Sequence, residues 1–331
     1  MRFPLRLTLD LTWYLLRCTL TRQRRYPLVL MLEPTHRCNL ACSGCGRIRE
    51  YGETLSHELS LERCLEAVDE CPAPVVTVTG GEPLLYGSLP DLLSGIISRR
   101  RHIQLCTNGL LLSDRIHTLP HHPNLTINVH LDGLAATHDR IIDSPGGFSR
   151  AWNGIEEALR RRVRVCTNTT IFRETDLDEI RELFQRLTRA GVAGILVAPG
   201  FDYDAVDGNL FLQREEIRAK FREILRWSTD FPFWSTPPYL RFLAGVEEME
   251  CTPWGNPTVN PLGWKAPCYL ITDTHYPRYR EMMEQTDWDR YGVGKDPRCA
   301  QCMMHCGFEP TVVRTTTTLG RIYEMIRWNL S

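Results

Sequence analysis

Cys38, Cys42 and Cys45 stand together in the run Glu33-Pro-Thr-His-Arg-Cys-Asn-Leu-Ala-Cys-Ser-Gly-Cys45. Iron–sulfur clusters are usually held by four Cys thiolates. A compact set of three therefore leaves one iron open to a ligand that is not protein. A structural zinc site would want a fourth Cys or His close by. His36 is available for that, but zinc modules usually present paired knuckles, and this set stands alone in its half of the chain. Disulfides fit less well, because thirteen cysteines at irregular spacing with no secretory leader describe a chain of a reducing compartment.

A second set of thiols comes late. Cys251 and Cys268 are followed by Cys299, Cys302 and Cys306, five candidates for the four places of a second cluster. Zinc competes here, since Cys299-x-x-Cys302 serves either metal chemistry. Between the two sets lie residues suited to polar contacts. In Gly80-Gly81-Glu82-Pro83 the glycines let backbone approach closely, and a carboxylate could hold an ammonium group by charge-assisted hydrogen bonds; a simple tight turn is the plainer reading. Asp132, before Gly133, and Asn168 stand at strand ends, where turn-forming or capping explains them equally well. Cys106 reads either as a small buried hydrophobe or, through its weak S–H bond, as a hydrogen-atom donor to a carbon radical.

The elements that must position these residues alternate. Short β-branched or leucine-rich runs at Pro27 to Thr35, Val75 to Thr79, His102 to Thr107, Leu125 to Leu131, Val163 to Ile171 and Gly194 to Ala198 are separated by longer amphipathic stretches, the pattern of βα units on a parallel sheet. Helices are expected near Ser60 to Cys71, Ser88 to Arg101, Phe148 to Arg162, Asp176 to Ala190 and Gln213 to Ser228, with Asp176 and Glu179 in capping-box register. Ligands in such folds gather beyond the carboxyl ends of the strands, which is where the first three cysteines, Gly80-Gly81-Glu82, Asn108, Asp132 and Pro199-Gly200 fall. Six units predict an α/β fold, a partial (β/α)6 barrel open along one side. From Cys251 onward, Pro, Trp, Tyr and Cys replace the periodic runs, and a loop-rich cysteine module is expected. The predicted division is an N-terminal basic segment over 1–26, the barrel over 27–230 and the cysteine-rich module over 231–331.

With 331 residues, 43% of them hydrophobic, and a formal charge of −1, the chain can bury a substantial core, and nucleic acid is not expected as its partner. No apolar run approaches the roughly 20 residues of a membrane span. Leu9, Trp13, Leu16 and Leu20 recur at helical spacing beside Arg17, Arg22, Arg24 and Arg25. That composition suits a helix lying on a membrane surface and equally a helix packed on the body of the protein. Leu5, Leu7, Leu9 and Leu11 alternate and leave a strand open. The expected location is cytoplasmic, with peripheral contact at the inner face of the membrane as a further expectation.

The CxxxCxxC spacing reached from an apolar strand resembles the signature of the radical S-adenosylmethionine (SAM) superfamily. That resemblance implies a [4Fe-4S] cluster on Cys38, Cys42 and Cys45 whose open iron binds SAM, with Gly80, Gly81 and Glu82 meeting the methionine amino group and Asp132 and Asn168 contacting ribose and carboxylate. It also implies an auxiliary iron–sulfur cluster among Cys251, Cys268, Cys299, Cys302 and Cys306, and a reducing partner such as flavodoxin or ferredoxin. One departure is Gly44, where many members carry an aromatic residue. Longer strings, among them Cys251-Thr-Pro-Trp-Gly255, Pro267-Cys-Tyr-Leu270 and His305-Cys-Gly307, resemble the adenosyl-hopene transferase subgroup. This implies addition of the 5′-deoxyadenosyl radical to the terminal alkene of diploptene, a triterpene of hopanoid biosynthesis, to give adenosylhopane, with Cys106 as hydrogen donor. Asp139 to Phe148 and Phe201 to Asn209 look unlike that subgroup. The alternatives are a radical SAM enzyme abstracting hydrogen from another lipid, a peptide or a metabolite, and a zinc-stabilised binding protein.

Overall fold

The structure is a computed structural model that describes every residue except Asp204, Asp207 and Ser331. Two of these lie in the Phe201 to Asn209 stretch singled out above, and that part of the expectation falls outside the described residues.

Six parallel strands, β1 (Val29–Leu32), β2 (Val75–Val78), β3 (His102–Thr107), β4 (Leu125–His130), β5 (Arg164–Ile171) and β6 (Gly194–Pro199), follow one another side by side. Helices α1 (Leu5–Leu20) and α2 (Gly46–Glu50) flank β1. The longer crossovers are α3 (Leu61–Glu70), α4 (Leu89–Ser98), the single turn α5 (Leu112–Arg115), α6 (Ala135–Ile141), α7 (Gly147–Arg160) and α8 (Leu177–Ala190). Local chemistry sets their ends. The Ser60 hydroxyl accepts the Arg63 N–H at the start of α3, and Gly191 closes α8 in the left-handed conformation, which glycine adopts freely. Asp176 caps α8 through the Asp178 N–H. Glu179, expected to complete a capping box, instead accepts from Leu134 N–H at 2.7 Å and from the Thr137 hydroxyl at 2.8 Å, tying α8 to α6.

Strand alternation divides the barrel wall by chemistry. Val76, Val78, Ile103, Leu105, Ile127, Val129, Val165, Ile195 and Val197 join the helices in one hydrophobic core. The other register rows carry Thr77 beside Gln104, Cys106 beside Asn128 beside Cys166, and His130 beside Asn168. Polar and thiol groups thus line the side away from the helices.

After α9 (Arg214–Arg226) and α10 (Pro237–Leu243), the chain departs from expectation. The cysteine-rich part is less loop-like than its composition predicts. β7 (Thr258–Asn260) pairs parallel with β1, and β8 (Gly263–Pro267) and β9 (Thr272–Tyr276) add antiparallel, so one sheet runs β6-β5-β4-β3-β2-β1-β7-β8-β9. The edge of β1 is therefore covered. Then follow α11 (Tyr279–Gln285), α12 (His305–Thr315) and α13 (Leu319–Leu330).

The N-terminal segment is the helix α1, not a strand. Its Leu7 and Cys18 are buried, while Leu5, Leu9, Trp13, Leu16 and Leu20 stay exposed. Among the described residues no helix is long and apolar enough to cross a membrane.

Candidate functional site

The loop leaving β1 carries the first three cysteines. Cys45 N–H bonds the Cys42 carbonyl at 3.1 Å, Arg49 donates to the Cys42 and Cys45 carbonyls at 3.2 and 2.8 Å, and Ser43 N–H bonds Ile141. Leu40, Leu110 and Ile142 pack against Cys38 and Cys42. Burial, reinforced by the neighbouring thiols, pushes Cys38 up to about 11 and Cys42 up to about 12. Three thiols within electrostatic reach of one another in an apolar, backbone-braced loop suit a group that deprotonates its own ligands as it binds.

Gly80-Gly81-Glu82 is sewn to that loop. Gly81 N–H bonds the Thr35 carbonyl at 3.0 Å and Glu82 N–H the Arg37 carbonyl at 2.7 Å. A Cβ on Gly81 would lie 2.0 Å from the Arg37 oxygen, and Gly80 sits at φ +115°, so both positions require glycine. The Glu82 carboxylate is turned inward. It accepts from Leu84 N–H at 2.9 Å, the Thr107 hydroxyl at 2.8 Å and Asn108 N–H at 2.8 Å. Burial nevertheless raises its pKa to about 7. Its job is to lock the turn after β2 onto the end of β3, leaving backbone as the outward surface.

Asp132 is likewise spent internally, at 1% exposure. It accepts Thr170 N–H at 2.7 Å and lies 2.5 Å from His130 Nε2, so it orients an imidazole. Burial opposes charge on the His130 ring, but the Asp132 carboxylate outweighs it and raises the pKa. His130 stands opposite Asn168 in the β4/β5 register, and Asn168 remains half-buried. The alternation of Asn128 and His130 with the core residues of β4 was the available signal for both, and it was overshadowed by Asp132-Gly133.

Cys106 lies across from Asn128, whose amide nitrogen is 3.8 Å from its sulfur. It is half-buried, and burial pushes the thiol up to about 12. At neutral pH it carries its proton. Beside Gly44 an aromatic ring is present after all. A Cβ on Gly44 would meet the Phe172 ring at 2.9 Å, and Phe172 is tilted on Phe211 at 6.1 Å. The ring arrives from the end of β5, a contact with no local trace in the sequence.

All five late cysteines line one pocket with Phe201, Leu270 and Tyr291. A Cβ on Gly307 would come within 2.5 Å of Cys251 Sγ, so the thiol occupies the space that glycine leaves. Among the described residues, no three His, Cys, Asp or Glu side chains close tightly enough to grip one metal ion. The two cysteine sets are joined by a buried polar bridge. Arg47, two residues after Cys45, donates to the Tyr269 carbonyl at 2.5 Å, next to Cys268, and its guanidinium lies 4.0 Å from the Tyr269 ring centre. It also pairs with Glu33 at 3.3 Å and bonds Tyr51 at 2.8 Å. Lys265 reaches the same carbonyl at 3.0 Å and Glu50 at 3.4 Å.

The radical SAM superfamily pattern matches residues 32–229, and the domain of unknown function DUF3463 matches residues 195–326, which include all five late cysteines. A GTP 3′,8-cyclase of Clostridium perfringens is 31% identical over 46% of this chain and 50% of its own length. The chain thus spans about half of that relative. An AdoMet-dependent heme synthase of Oleidesulfovibrio alaskensis is 26% identical over 83% of this chain and 80% of its own. Streptococcus suis SuiB bound to S-adenosylmethionine superposes with a TM-score of 0.65 at 16% identity, covering 90% of this chain and 76% of that one. At that identity the likeness is one of fold. The superfamily match runs from the last residue of β1 through the cysteine loop and strands β2 to β6, and this protein accordingly belongs to the radical SAM superfamily, whose members pair a [4Fe-4S] cluster with SAM.

Proposed function

We propose that this chain is an adenosyl transferase that adds the 5′-deoxyadenosyl radical to the terminal alkene of a hopene such as diploptene. The observation that carries this reading is Cys106, a protonated thiol held by Asn128 inside the barrel wall. An addition reaction leaves a carbon radical on the product, and the carbon needs one hydrogen atom to finish. A thiol inside the barrel supplies it.

In this reading Cys38, Cys42 and Cys45 hold the cluster, which when bound supplies the single electron that splits SAM into methionine and the adenosyl radical. The backbone of Gly80, Gly81 and Glu82 receives the ammonium group of SAM, Asn168 and the Asp132-oriented His130 face its polar end, and Phe172 takes the place of the aromatic residue missing at Gly44. Cys106 gives its hydrogen atom to the product radical and becomes a thiyl radical, which one electron from a flavodoxin- or ferredoxin-like donor and one proton from solvent restore. A second cluster draws its ligands from Cys251, Cys268, Cys299, Cys302 and Cys306, with zinc as the alternative occupant. The functional division is 27–230 for the barrel and 231–331 for the cysteine module, with 1–26 as a peripheral segment at the inner face of the membrane.

A second reading, hydrogen abstraction from a peptide or metabolite, is favoured by the names of the curated relatives, which include the sporulation killing factor maturation protein SkfB of Bacillus subtilis. Anaerobic incubation of the iron-reconstituted protein with SAM, a reductant and diploptene separates the two. A product with the mass of adenosine joined to the triterpene supports transfer. Free 5′-deoxyadenosine without adduct supports abstraction and removes the hopene.

A further inference from the structure

The end of the barrel opposite the cysteine loop has an unusual surface. α1 lies across the amino ends of the strands. Asp10 is 2.8 Å from His102, the first residue of β3, Arg164 at the start of β5 donates to the Met1 and Arg2 carbonyls, and the Tyr14 hydroxyl bonds the Pro27 carbonyl just before β1. On the outer side of α1, Leu9 is 60%, Trp13 69% and Leu20 74% exposed, and Leu5 and Leu16 continue the stripe. α13 docks beside it through Asn329, which accepts from Phe3 N–H at 2.6 Å and donates to Thr8 at 3.3 Å. It adds Leu319, Tyr323, Ile326 and Leu330, all more than half exposed.

Arginines surround this apolar face. Among the described residues four non-glycine positions have positive φ, and three of them are Arg22 (φ 53°), Arg100 (φ 59°) and Arg162 (φ 58°). They follow the carboxyl ends of α1, α4 and α7, each of which leads into a strand of the barrel, so all three sit at the same end of the molecule. Glycine is the usual occupant of such helix-ending positions. Here each residue is exposed, and among the described residues none of the three guanidinium groups has an ion-pair or hydrogen-bond partner. The acidic groups nearby are already taken, Asp69 by Arg99 and Glu157 by Arg160 and Arg161. In a chain of net charge −1 this is a strongly one-sided placement.

We infer that the base of the barrel, formed by α1, α13 and these helix-ending arginines, docks on a lipid bilayer bearing anionic headgroups. Apolar side chains flanked by arginine match the boundary between headgroups and acyl chains. Phosphates of nucleic acid would leave the leucines and Trp13 without a role, and a second copy of the chain would bring two basic faces together. The inference does not depend on the identity of the alkene, since it concerns the end of the barrel remote from the site.

The test is co-sedimentation of the full-length, reconstituted protein with vesicles of phosphatidylcholine alone and of phosphatidylcholine with phosphatidylglycerol, at about 100 mM and about 500 mM salt. Sedimentation with the anionic vesicles that weakens at the higher salt is expected. Leu9→Glu with Trp13→Glu abolishes it. Arg22→Gly, Arg100→Gly and Arg162→Gly together suit the backbone, leave SAM cleavage unchanged and weaken vesicle binding about 100-fold, roughly fivefold per charge. Failure to sediment with anionic vesicles at the lower salt overturns the inference, as does unchanged binding by the triple arginine variant or a solution dimer that Leu9→Glu with Trp13→Glu dissociates. No triterpene enters this experiment, so its failure leaves the product assay standing.

Discussion

Replacing Arg47 by Met should be among the most damaging single changes outside the cysteines. The Arg47 side chain is 8% exposed and that of Glu33 is fully buried, 3.3 Å apart. Removing one member of a buried ion pair leaves an uncompensated charge and costs about 3–5 kcal/mol. Tyr269 would also lose a short donor to its carbonyl. For 331 residues, at about 2.1 cal/mol/K per residue, the unfolding entropy is roughly 0.7 kcal/mol/K, so the expected fall in Tm is about 4–7 °C. The assay is thermal unfolding of the reconstituted protein under nitrogen for Arg47→Met, Glu33→Gln and the pair. Because Glu33→Gln removes the stranded charge, the double variant should recover about 2–3 kcal/mol relative to the sum of the singles. Strict additivity, or a loss below about 2 °C for Arg47→Met, would refute the idea that this pair bridges the two cysteine sets energetically.

Cys106→Ala should leave SAM cleavage intact while abolishing the reduced adduct, and in the parent protein mass analysis should show that adduct yield per SAM cleaved is flat from neutral pH to about pH 10, because the thiol, pushed up to about 12, stays protonated. Burial raises Glu82 and Glu309 to about 7. Each folded value lies above the unfolded one, so the folded state binds the extra proton, and the melting temperature should fall as pH rises from about 4.5 to about 7 and then level off. Glu309→Gln should make that slope shallower. Gly307→Ala drives a methyl group into Cys251 Sγ, and iron analysis should fall from about eight to about four per chain while the first cluster's SAM cleavage signal persists. Unchanged iron would remove Cys251 from the second centre.

The six barrel strands were legible because their β-branched runs alternate with helical stretches and because the polar residues cluster where the runs end. β7 to β9 were not. Thr272–Tyr276 contains no aliphatic residue and β8 ends in Pro267, so nothing local announces strands that form by adding to β1. Leucines at 5, 7, 9 and 11 blurred the helix α1, because their alternation satisfies strand spacing while Leu5, Leu9, Trp13, Leu16 and Leu20 follow the helix. At the site, residue types were readable but directions were not. Glu82 and Asp132 have the charge to bind a ligand, yet three donors, two of them from the end of β3, and a histidine on the same strand end claim their oxygens. Phe172 beside Gly44 is a contact between distant parts of the chain, and no spacing rule encodes it.

The pairing of β1 with both β2 and β7 also has a temporal side. During synthesis β1 and its cysteine loop leave the ribosome long before Thr258, so for that interval an apolar strand with an unpaired edge stands next to three thiols. An exposed edge of that kind invites pairing with other chains. Only the last third of the chain, through β7, closes that window by covering the edge. A fragment ending near residue 230 would stay in that vulnerable state permanently.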